Sequence, residues 1–539
     1  MKTNPLKNNL LNHVFSVGML LLSACAWGPG GEEAGFLHLG NGSEPESLDP
    51  HLTTGVPEYN IISALLEGLI REDPVTLEPQ PGVAEAWDIS EDGLTYTFSF
   101  REDARWSNGD PVTADDFVYS FRRMLSPELG AEYAYMLYIL KNAEAYHNGT
   151  VDDPEALGVE APDARTLVIT LENPAPYFLK MLNHHSFYPV HPATVEAHGG
   201  PHDRGNTWAR PGRYVGNGPF VLETWQLNHR IKLERNPRYW NAEKVRLNGI
   251  VFHPVEDQQT EERMFRDGRL HMTNGVPLAR IERYRRENSP AFVSHPYLAT
   301  YYYLINTDKP PFDDVRVRQA LAMAIDREAI TERVLRAGEV PAFWFTPPDT
   351  GGFTPSQALE ENVEEARRLL AEAGYPNGEG FPRFELLYNT LEAHRQIAQV
   401  VQQMWKENLG IDCELVNQEW QVYMVTRREM NFDVARAGWA GDFADAHNFL
   451  DLHMSTSGNN HTNWSDPEYD RLIREATGIT DDAARHALYD QAEAILLRDM
   501  PLIPVYWYTK TYLLDPAVRG LHPNILARRD YTAIWLEEE

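Results

Sequence analysis

Cysteine is nearly absent from this chain, which has 539 residues but only two cysteines, Cys25 and Cys413. Cys25 lies in an amino-terminal segment unlike the rest, so Cys413 would be the sole thiol of the folded body. A single cysteine cannot form an intramolecular disulfide, which excludes a small disulfide-stapled scaffold. The hydrophobic core must therefore hold the fold without covalent cross-links.

Basic residues are scarce as well. Lys and Arg total 48 against 79 Asp and Glu, which gives a formal net charge of −31. No stretch is rich enough in Lys and Arg to reverse this negative field locally. Nucleic acid would be repelled, so we exclude it as a partner.

Long apolar runs are confined to the amino terminus, and beyond residue 25 none is long enough to span a bilayer. Residues 1–25 contain an apolar stretch from Val14 to Leu22, and their only formal charges are Lys2 and Lys7. This layout is that of a signal peptide. It predicts export from the cytoplasm.

Two ways of processing this segment remain open. Leu22-Ser23-Ala24-Cys25 resembles the lipobox of bacterial lipoproteins, in which the cysteine becomes the lipidated first residue, so Cys25 would attach the protein to a membrane. Alternatively, a small-x-small pattern at Ala24 and Ala26 is cleaved after Ala26, which releases a soluble periplasmic protein. In both cases we expect residues 26–36 to form a flexible leader.

The common catalytic motifs are missing: there is no Gly-x-Ser-x-Gly, no His-Glu-x-x-His and no Gly-Lys phosphate loop. His184-His185 could begin a metal site, but no further ligand stands at suitable spacing, and a structural pair is the simpler interpretation. Asp442, Asp445 and Asp451 could act as general acid and base, although their spacing does not show that they converge. We therefore expect no enzymatic activity, no cofactor and no metal.

What the sequence does contain is typical of a large globular protein: 42% hydrophobic and 24% charged residues. At roughly 150 residues per domain, the length suggests three or four units.

Alternation at residues 94–100 predicts a strand, Asn108-Gly109 a turn, and Thr113 with Asp116 the start of a helix. Further strands are predicted at 166–171, 220–225, 411–416, 432–437 and 503–508, and helices at 314–330, 363–373, 395–409, 421–428, 468–476 and 483–497. The order is mixed α and β.

Several motifs together resemble a known family. They are Asn41 to His51, Gly55-Val56-Pro57-Glu58, Leu66 to Leu69, Gly82 to Trp87, Trp106 to Ala114, Thr300 to Tyr303, Gln418-Glu419-Trp420, Phe432 to Trp439 and Pro504 to Tyr508. The set is similar to the extracellular solute-binding proteins that serve peptide and nickel importers, and within them to the oligopeptide-binding proteins of OppA type. The resemblance runs from about Asn41 to near the end of the chain.

The resemblance implies an α/β, type II periplasmic-binding-protein-like fold with two lobes, three domains and a hinge. Domain I would comprise residues 37–66, 190–297 and 510–539, domain II residues 67–189, and domain III residues 298–509. It further implies a monomeric receptor that passes short peptides to the membrane permease of an ABC importer. Closure of the lobes would bury the ligand.

A peptide of any sequence offers an ammonium, a carboxylate and a backbone that can pair like an added strand. The resemblance implies that Asp442 binds the ammonium, while Gly438, Trp439 and Ala440 offer backbone hydrogen bonds. Gly55 and Val56 would do so from the other lobe. Judged alone, Asp442 would be an ordinary loop carboxylate and Gly55 a plain turn residue.

For the carboxylate end, the resemblance points to Arg427, Arg436 and His394, and the guanidinium fork suits this role. Tyr133 matches a tyrosine near the peptide's amino end, and Trp420 and Tyr508 match pocket aromatics. The alternatives are that Arg436 pairs with a structural acid, that His394 is a surface residue, and that the aromatics belong to the core.

This chain also departs from the family pattern. Thr54 and Leu304 stand where acids are expected, and Leu335, with Arg336 beside it, replaces a lysine. We expect these changes to alter ligand selectivity.

Two other classes of function stay open: a related receptor for a cell-wall peptide, a dipeptide or chelated nickel, and a secreted hydrolase. The segment from Trp420 to Asp442 favours the oligopeptide branch over most related receptors. A hydrolase would cleave peptides, whereas a receptor would return them intact.

Overall fold

The computed structural model describes residues 33–537. The predicted signal peptide, the predicted lipid attachment site Cys25 and most of the predicted leader lie outside these residues.

Within the described part of the chain, the strands and helices alternate irregularly. The strands are β1 Phe36–Gly40, β2 Ile70–Glu72, β3 Pro79–Pro81, β4 Ala84–Ile89, β5 Thr95–Phe100, β6 Val159–Asp163, β7 Thr166–Thr170, β8 Phe220–Gln226, β9 Arg230–Arg235, β10 Gly249–His253, β11 Phe292–Ile305, β12 Val340–Pro341, β13 Phe384–Asn389, β14 Cys413–Gln418, β15 Val434–Ala440, β16 Leu502–Leu513, β17 Val518–Arg519 and β18 Trp535–Leu536. The α-helices are α1 Val56–Leu65, α2 Ala114–Met124, α3 Ala143–His147, α4 Phe178–Met181, α5 Pro192–Ala197, α6 Gln258–Arg266, α7 Leu278–Arg286, α8 Val315–Met323, α9 Val363–Glu372, α10 Glu392–Leu409, α11 Trp420–Arg428, α12 His447–Leu450, α13 Pro467–Thr477 and α14 Asp482–Asp499. The mixed α and β order predicted from the sequence is confirmed.

One lobe of the molecule, called here the first lobe, contains two four-stranded sheets. One has the order β1-β10-β9-β8, and β1 pairs in parallel with β10, with Phe36 opposite Gly249. The other has the order β4-β5-β7-β6 and packs against α2. Helix α2 begins after Thr113, as predicted. The Asp116 carboxylate accepts a hydrogen bond from the Thr113 N–H at 2.9 Å and so caps the start of the helix.

The second lobe is built on a six-stranded sheet of order β12-β16-β11-β15-β13-β14. β11 lies in the middle, antiparallel to both β15 and β16, whereas β13 and β14 run parallel. Helices α8, α9 and α10 pack beside this sheet, and the indole of Trp405 on α10 is fully buried. Cys413 begins β14, where it is buried and free.

Most predicted helices are confirmed to within a few residues, but the helix predicted at 314–330 is wrong in its second half. It ends at Met323, where the buried guanidinium of Arg327 takes over the carbonyl oxygens of Ala322 and Ile325, to which it donates at 3.2 and 3.0 Å. A short π-helical segment, Ala329–Leu335, follows. None of the helices in residues 33–537 is both long enough and apolar enough to cross a membrane.

Two long paired strands, β11 and β16, cross the predicted boundaries at residues 297/298 and 509/510 without a break. The register of their pairing shifts between Pro296 and Thr300, which is where the predicted boundaries fall. The paired strands therefore connect the two lobes directly. The domain limits themselves stay a prediction.

Candidate functional site

A cavity that is partly open to solvent lies between the lobes, and about 1700 Å³ of space in it, open solvent included, is free of protein atoms. Its walls contain every peptide-contacting residue predicted from the sequence except His394. These residues are Gly55, Val56, Tyr133, Trp420, Arg427, Arg436, Gly438, Trp439, Ala440, Asp442 and Tyr508.

Asp442 lies just beyond the end of β15, with only 11% of its side chain exposed. One carboxylate oxygen, Oδ1, is 3.1 Å from His184 Nε2 and 3.4 Å from the Tyr133 hydroxyl. The other, Oδ2, accepts from Asn448 Nδ2 at 3.3 Å, and Asn448 Oδ1 also accepts from the Asp442 N–H at 2.7 Å. The carboxylate is thus fixed in place.

His184 Nδ1 accepts from the Ser186 N–H at 3.3 Å, so it is Nε2 that carries a proton toward Asp442. Burial alone would raise the pKa of Asp442, but the contacts with His184 and Asn448 outweigh burial and hold the pKa below its ordinary value. An ionised carboxylate held by such donors in a largely buried site attracts a cation.

β15 presents an unpaired edge to the cavity. One edge pairs with β11 along the whole strand, but the other pairs with β13 only at Val434 and Ala435. From Arg436 to Ala440 that second edge has no strand partner among the described residues. Its backbone donors and acceptors can therefore pair with an extended ligand, as in β-strand addition.

Gly438 lies where two side-chain tips cross the sheet. A Cβ atom at this position would lie 2.9 Å from Arg436 Nη2 and 3.0 Å from the Tyr508 hydroxyl. Those two groups hydrogen-bond to each other at 2.5 Å. The glycine thus lets the Arg436 side chain lie over the strand, which brings its guanidinium level with Gly438.

Arg436 is a buried cation without an acidic partner in the described part of the chain. Its guanidinium donates to Asn389 Oδ1 at 3.2 Å and lies 4.9 Å from the centre of the Tyr301 ring, while Nε has no hydrogen-bond partner. Burial alone would lower the pKa of Arg436, but the phenolic oxygens of Tyr508 and Tyr301 outweigh burial and raise it. The alternative of a structural ion pair is therefore wrong.

The other two residues predicted for the carboxylate end differ in position. Arg427 lines the cavity, and its Nε also lacks a hydrogen-bond partner. His394 lies outside the cavity, with its ring centre 5.6 Å from that of Tyr301, and it is buried rather than on the surface. Burial, and then the charge of Arg436, hold the pKa of His394 well below its usual value.

The first lobe approaches β15 through the start of α1. Gly55 is the residue before this helix, and a Cβ atom there would lie 3.2 Å from the Trp420 indole of the second lobe. Val56 is 42% exposed although it lines a cavity between lobes, so its apolar surface is free to pack against a ligand. Trp420, on α11, thus contacts the opposite lobe as well as the cavity.

The three departures from the family pattern lie in different places. Thr54 lines the cavity, whereas Leu304 and Leu335 are buried in the hydrophobic core of the second lobe. Arg336 points away and lies 3.7 Å from Glu282. Of the three, only Thr54 borders the cavity.

Several cavity residues were missed by the sequence analysis. His184 and His185 were interpreted as a structural pair, yet both line the cavity and His184 contacts Asp442. The others lie in α6 or just before it, near the end of β16 and in the carboxy-terminal segment, and no motif marked them. They are Glu256, Glu261, Lys510, Arg528 and Arg529. The adjacent arginines in an acidic chain were the one available signal.

The acidic and histidine residues do not form a catalytic or metal centre. Asp445 pairs with Arg485 at 3.0 Å, and Asp451 lines a separate cavity, so neither joins Asp442. In residues 33–537, no cluster of His, Cys, Asp and Glu could hold a metal ion.

Comparison with known sequences identifies the family. The profile described as "Bacterial extracellular solute-binding proteins, family 5 Middle" matches residues 78–461. The periplasmic oligopeptide-binding protein OppA of Escherichia coli is 42% identical over 489 residues, covering 89% of this chain and 88% of that protein. Both matches confirm the extracytoplasmic location that was predicted from the amino terminus.

Comparison with solved structures adds information on the arrangement of the lobes. The Haemophilus influenzae OppA complex with the peptide RPPGFSPFR has a TM-score of 0.89 and 37% identity, covering 93% of this chain and 99% of that one. The unliganded open form of the murein tripeptide binding protein MppA, also 37% identical, covers 93% and 97% but scores 0.62. The lobes described here are arranged more like those of the peptide complex. The chain therefore belongs to family 5 of the bacterial extracellular solute-binding proteins, with the type II periplasmic-binding-protein fold.

Proposed function

We propose that this protein is the extracytoplasmic receptor of an ABC importer and binds short peptides between its lobes through their backbone and termini. The observation that carries the proposal is the placement of a carboxylate, Asp442, and of a cation without an acidic partner among the described residues, Arg436, along one unpaired strand edge that faces the cavity. A zwitterionic extended peptide matches this pattern in charge and in hydrogen bonding. The receptor carries out no chemical step.

The spacing of the two charges limits the length of peptide that can reach both. The Arg436 guanidinium lies level with Gly438, which is four residues before Asp442. At a strand rise of about 3.3 Å per residue, the charges are at most about 13 Å apart, the span of about three or four extended residues. We infer that tripeptides and tetrapeptides fit best with both termini engaged.

The apolar residues that line the cavity suit a receptor that binds peptides of many different sequences. Trp439 and Trp420 offer aromatic surface, and Val56 offers an aliphatic one. Between them the cavity is larger than a short backbone requires, so water can fill what different side chains leave open. Backbone and terminal contacts would then supply affinity without selecting one sequence.

The direct test is calorimetry with the tripeptide and tetrapeptide of alanine. We expect Asp442→Asn to weaken binding at least about 100-fold, since the peptide ammonium would lose its charged partner in a dry site, at about 3 kcal/mol or more. Acetylating the peptide amino group should have the same effect on the unmodified protein. Unchanged affinity in Asp442→Asn would overturn the assignment.

A matched variant separates this effect from a general loss of charge. Asp445→Asn also removes a buried carboxylate from the same loop, but one that pairs with Arg485 outside the cavity. We expect it to lower stability and to leave peptide affinity within about threefold. Mass spectrometry of the peptides after incubation should return them uncleaved, whereas a hydrolase would give shorter products.

We further propose that Cys25 is lipidated and tethers the receptor to a membrane, with the residues after it as leader. The lipobox-like Leu22-Ser23-Ala24-Cys25 supports this. In the bacterium that makes the protein, we expect it in the membrane fraction, and Cys25→Ser should move it to the soluble fraction. A mature amino terminus after Ala26 in the unmodified protein would contradict lipidation.

A further inference from the structure

Arg528 and two further cations, Lys510 and Arg529, line the cavity in addition to Arg427 and Arg436. Lys510 lies on β16 two residues beyond Tyr508, so the two side chains share one face of the strand. Arg529 reaches the cavity from the carboxy-terminal segment. In the described part of the chain, neither residue forms a salt bridge with a carboxylate.

The residues on either side of Arg529 form salt bridges, whereas Arg529 forms none among the described residues. Arg528 pairs with Glu72 and also donates to the main-chain oxygen of Asp442. Asp530 pairs with Arg71 at 2.6 Å. Arg529, between them, has a buried Nη1 without any hydrogen-bond partner.

Glu261 also lines the cavity, but it forms no salt bridge with either cation in the described part of the chain. The carboxylate oxygens of Glu261 accept from the N–H groups of Asn274 and Gly275 at 2.9 and 3.4 Å. Burial raises the pKa of Glu261 to about 7, so near neutral pH it carries only part of a charge. Burial, and then the charge of Arg529, lower the pKa of Lys510 to about 8, against the attraction of Glu261.

Two cations on the walls of one cavity, close enough for the charge of Arg529 to act on Lys510, repel each other and are incompletely hydrated. An anion bound between them relieves both costs. We propose that Lys510 and Arg529 form a subsite for a side-chain carboxylate of the ligand, so that this receptor prefers acidic peptides. The inference rests on the proposed function, and it adds a second anion to the terminal carboxylate assigned to Arg436. The Arg529 fork can bind such a carboxylate in two places, with Lys510 as a point charge beside it.

The test uses matched peptides that differ only in charge. Alanine tripeptides and tetrapeptides carry Glu or the isosteric Gln at each position in turn, and their affinities are measured by calorimetry at pH 7. At one position we expect Glu to bind about tenfold more tightly than Gln, the effect of about 1.4 kcal/mol from a charge-assisted contact. Lys510→Met and Arg529→Gln should each remove most of that preference and leave the Gln peptides within about threefold.

The control variant is Lys309→Met, which removes one positive charge outside the cavity, where Lys309 pairs with Asp433 at 3.0 Å. It should keep the preference for Glu. Equal affinity for Glu and Gln at every position would overturn the subsite, as would an equal loss of all peptides in the two cavity variants. If no peptide binds the unmodified protein, the proposed function itself is wrong. Binding without a charge preference would reject only the acidic subsite.

Discussion

At the scale of single residues, Gly438 shows how a missing side chain can place a functional one. The hydrogen-bonded tips of Arg436 and Tyr508 lie where a Cβ atom would stand. The backbone of Gly438 is extended and does not require glycine for its conformation. The requirement is one of space, and it concerns the position of the guanidinium.

Gly438→Ala should therefore alter ligand binding more than folding. The methyl group would displace the Arg436 guanidinium from Tyr508, and we expect alanine peptides with a free carboxylate to bind about tenfold more weakly, or about 1.4 kcal/mol. Carboxy-terminally amidated peptides should lose much less. The measurement is calorimetry with both forms, with Gly205→Ala, in a loop outside the cavity, as control. Equal losses for acid and amide would show that the methyl group acts on the peptide backbone instead.

The sequence could predict Asp442, Gly438 and Arg436 because they fall in one short motif that resembles a family. It could not predict that His184 contacts Asp442 or that Lys510 and Arg529 line the same cavity. These placements bring together residues from distant parts of the chain or from segments without a recurring pattern. His184-His185 was seen, but adjacency in sequence does not reveal what a buried ring faces.

At the scale of elements, a strand was predicted at 432–437, and β15 forms from Val434 to Ala440. The strand runs three residues further than predicted, although Gly438 and Ala440 have low strand propensity. Their place in the strand is set by pairing with Tyr301 and Ala299 of β11. Long-range pairing of this kind overrides local preference.

The unpaired edge of β15 could not be predicted from local pattern at all. It exists because β13 pairs with β15 only at Val434 and Ala435 and then continues beside β14. Strand order within a sheet depends on crossovers that span the chain, and period-two alternation carries no information about them. The position of the carboxy-terminal segment could not be predicted from local pattern either. Its residues Leu526 to Arg529 line the cavity.

At the scale of the whole molecule, α11 links the two lobes around the cavity. Arg428, at its end, pairs with Glu132 and lies 3.3 Å from Glu46, and both acids belong to the first lobe. Gln421, near its start, donates to the main-chain oxygen of Pro45 at 3.0 Å. These contacts form only when the lobes are close together, so they favour the closed arrangement.

Arg428→Ala should accordingly shorten the lifetime of the bound state. The Arg428 side chain is 28% exposed, so we expect a loss of about 1 kcal/mol, which is about a fivefold faster dissociation with little change in association. Stopped-flow fluorescence with an alanine tripeptide measures both rates. Arg471→Ala is the control, because Arg471 pairs with Glu468 and with Glu475 inside α13. Unchanged dissociation in Arg428→Ala would mean that these ion pairs do not hold the lobes together.

The burial of Cys413 has a practical consequence for following lobe motion in solution. Burial raises the pKa of this thiol to about 12, so at neutral pH almost none of it is the reactive thiolate. A chain that begins after Cys25 would thus be unreactive toward thiol-specific dyes in its folded state. A cysteine introduced on each lobe could then be labelled selectively, and fluorescence energy transfer between the dyes would convert peptide capture into an optical signal.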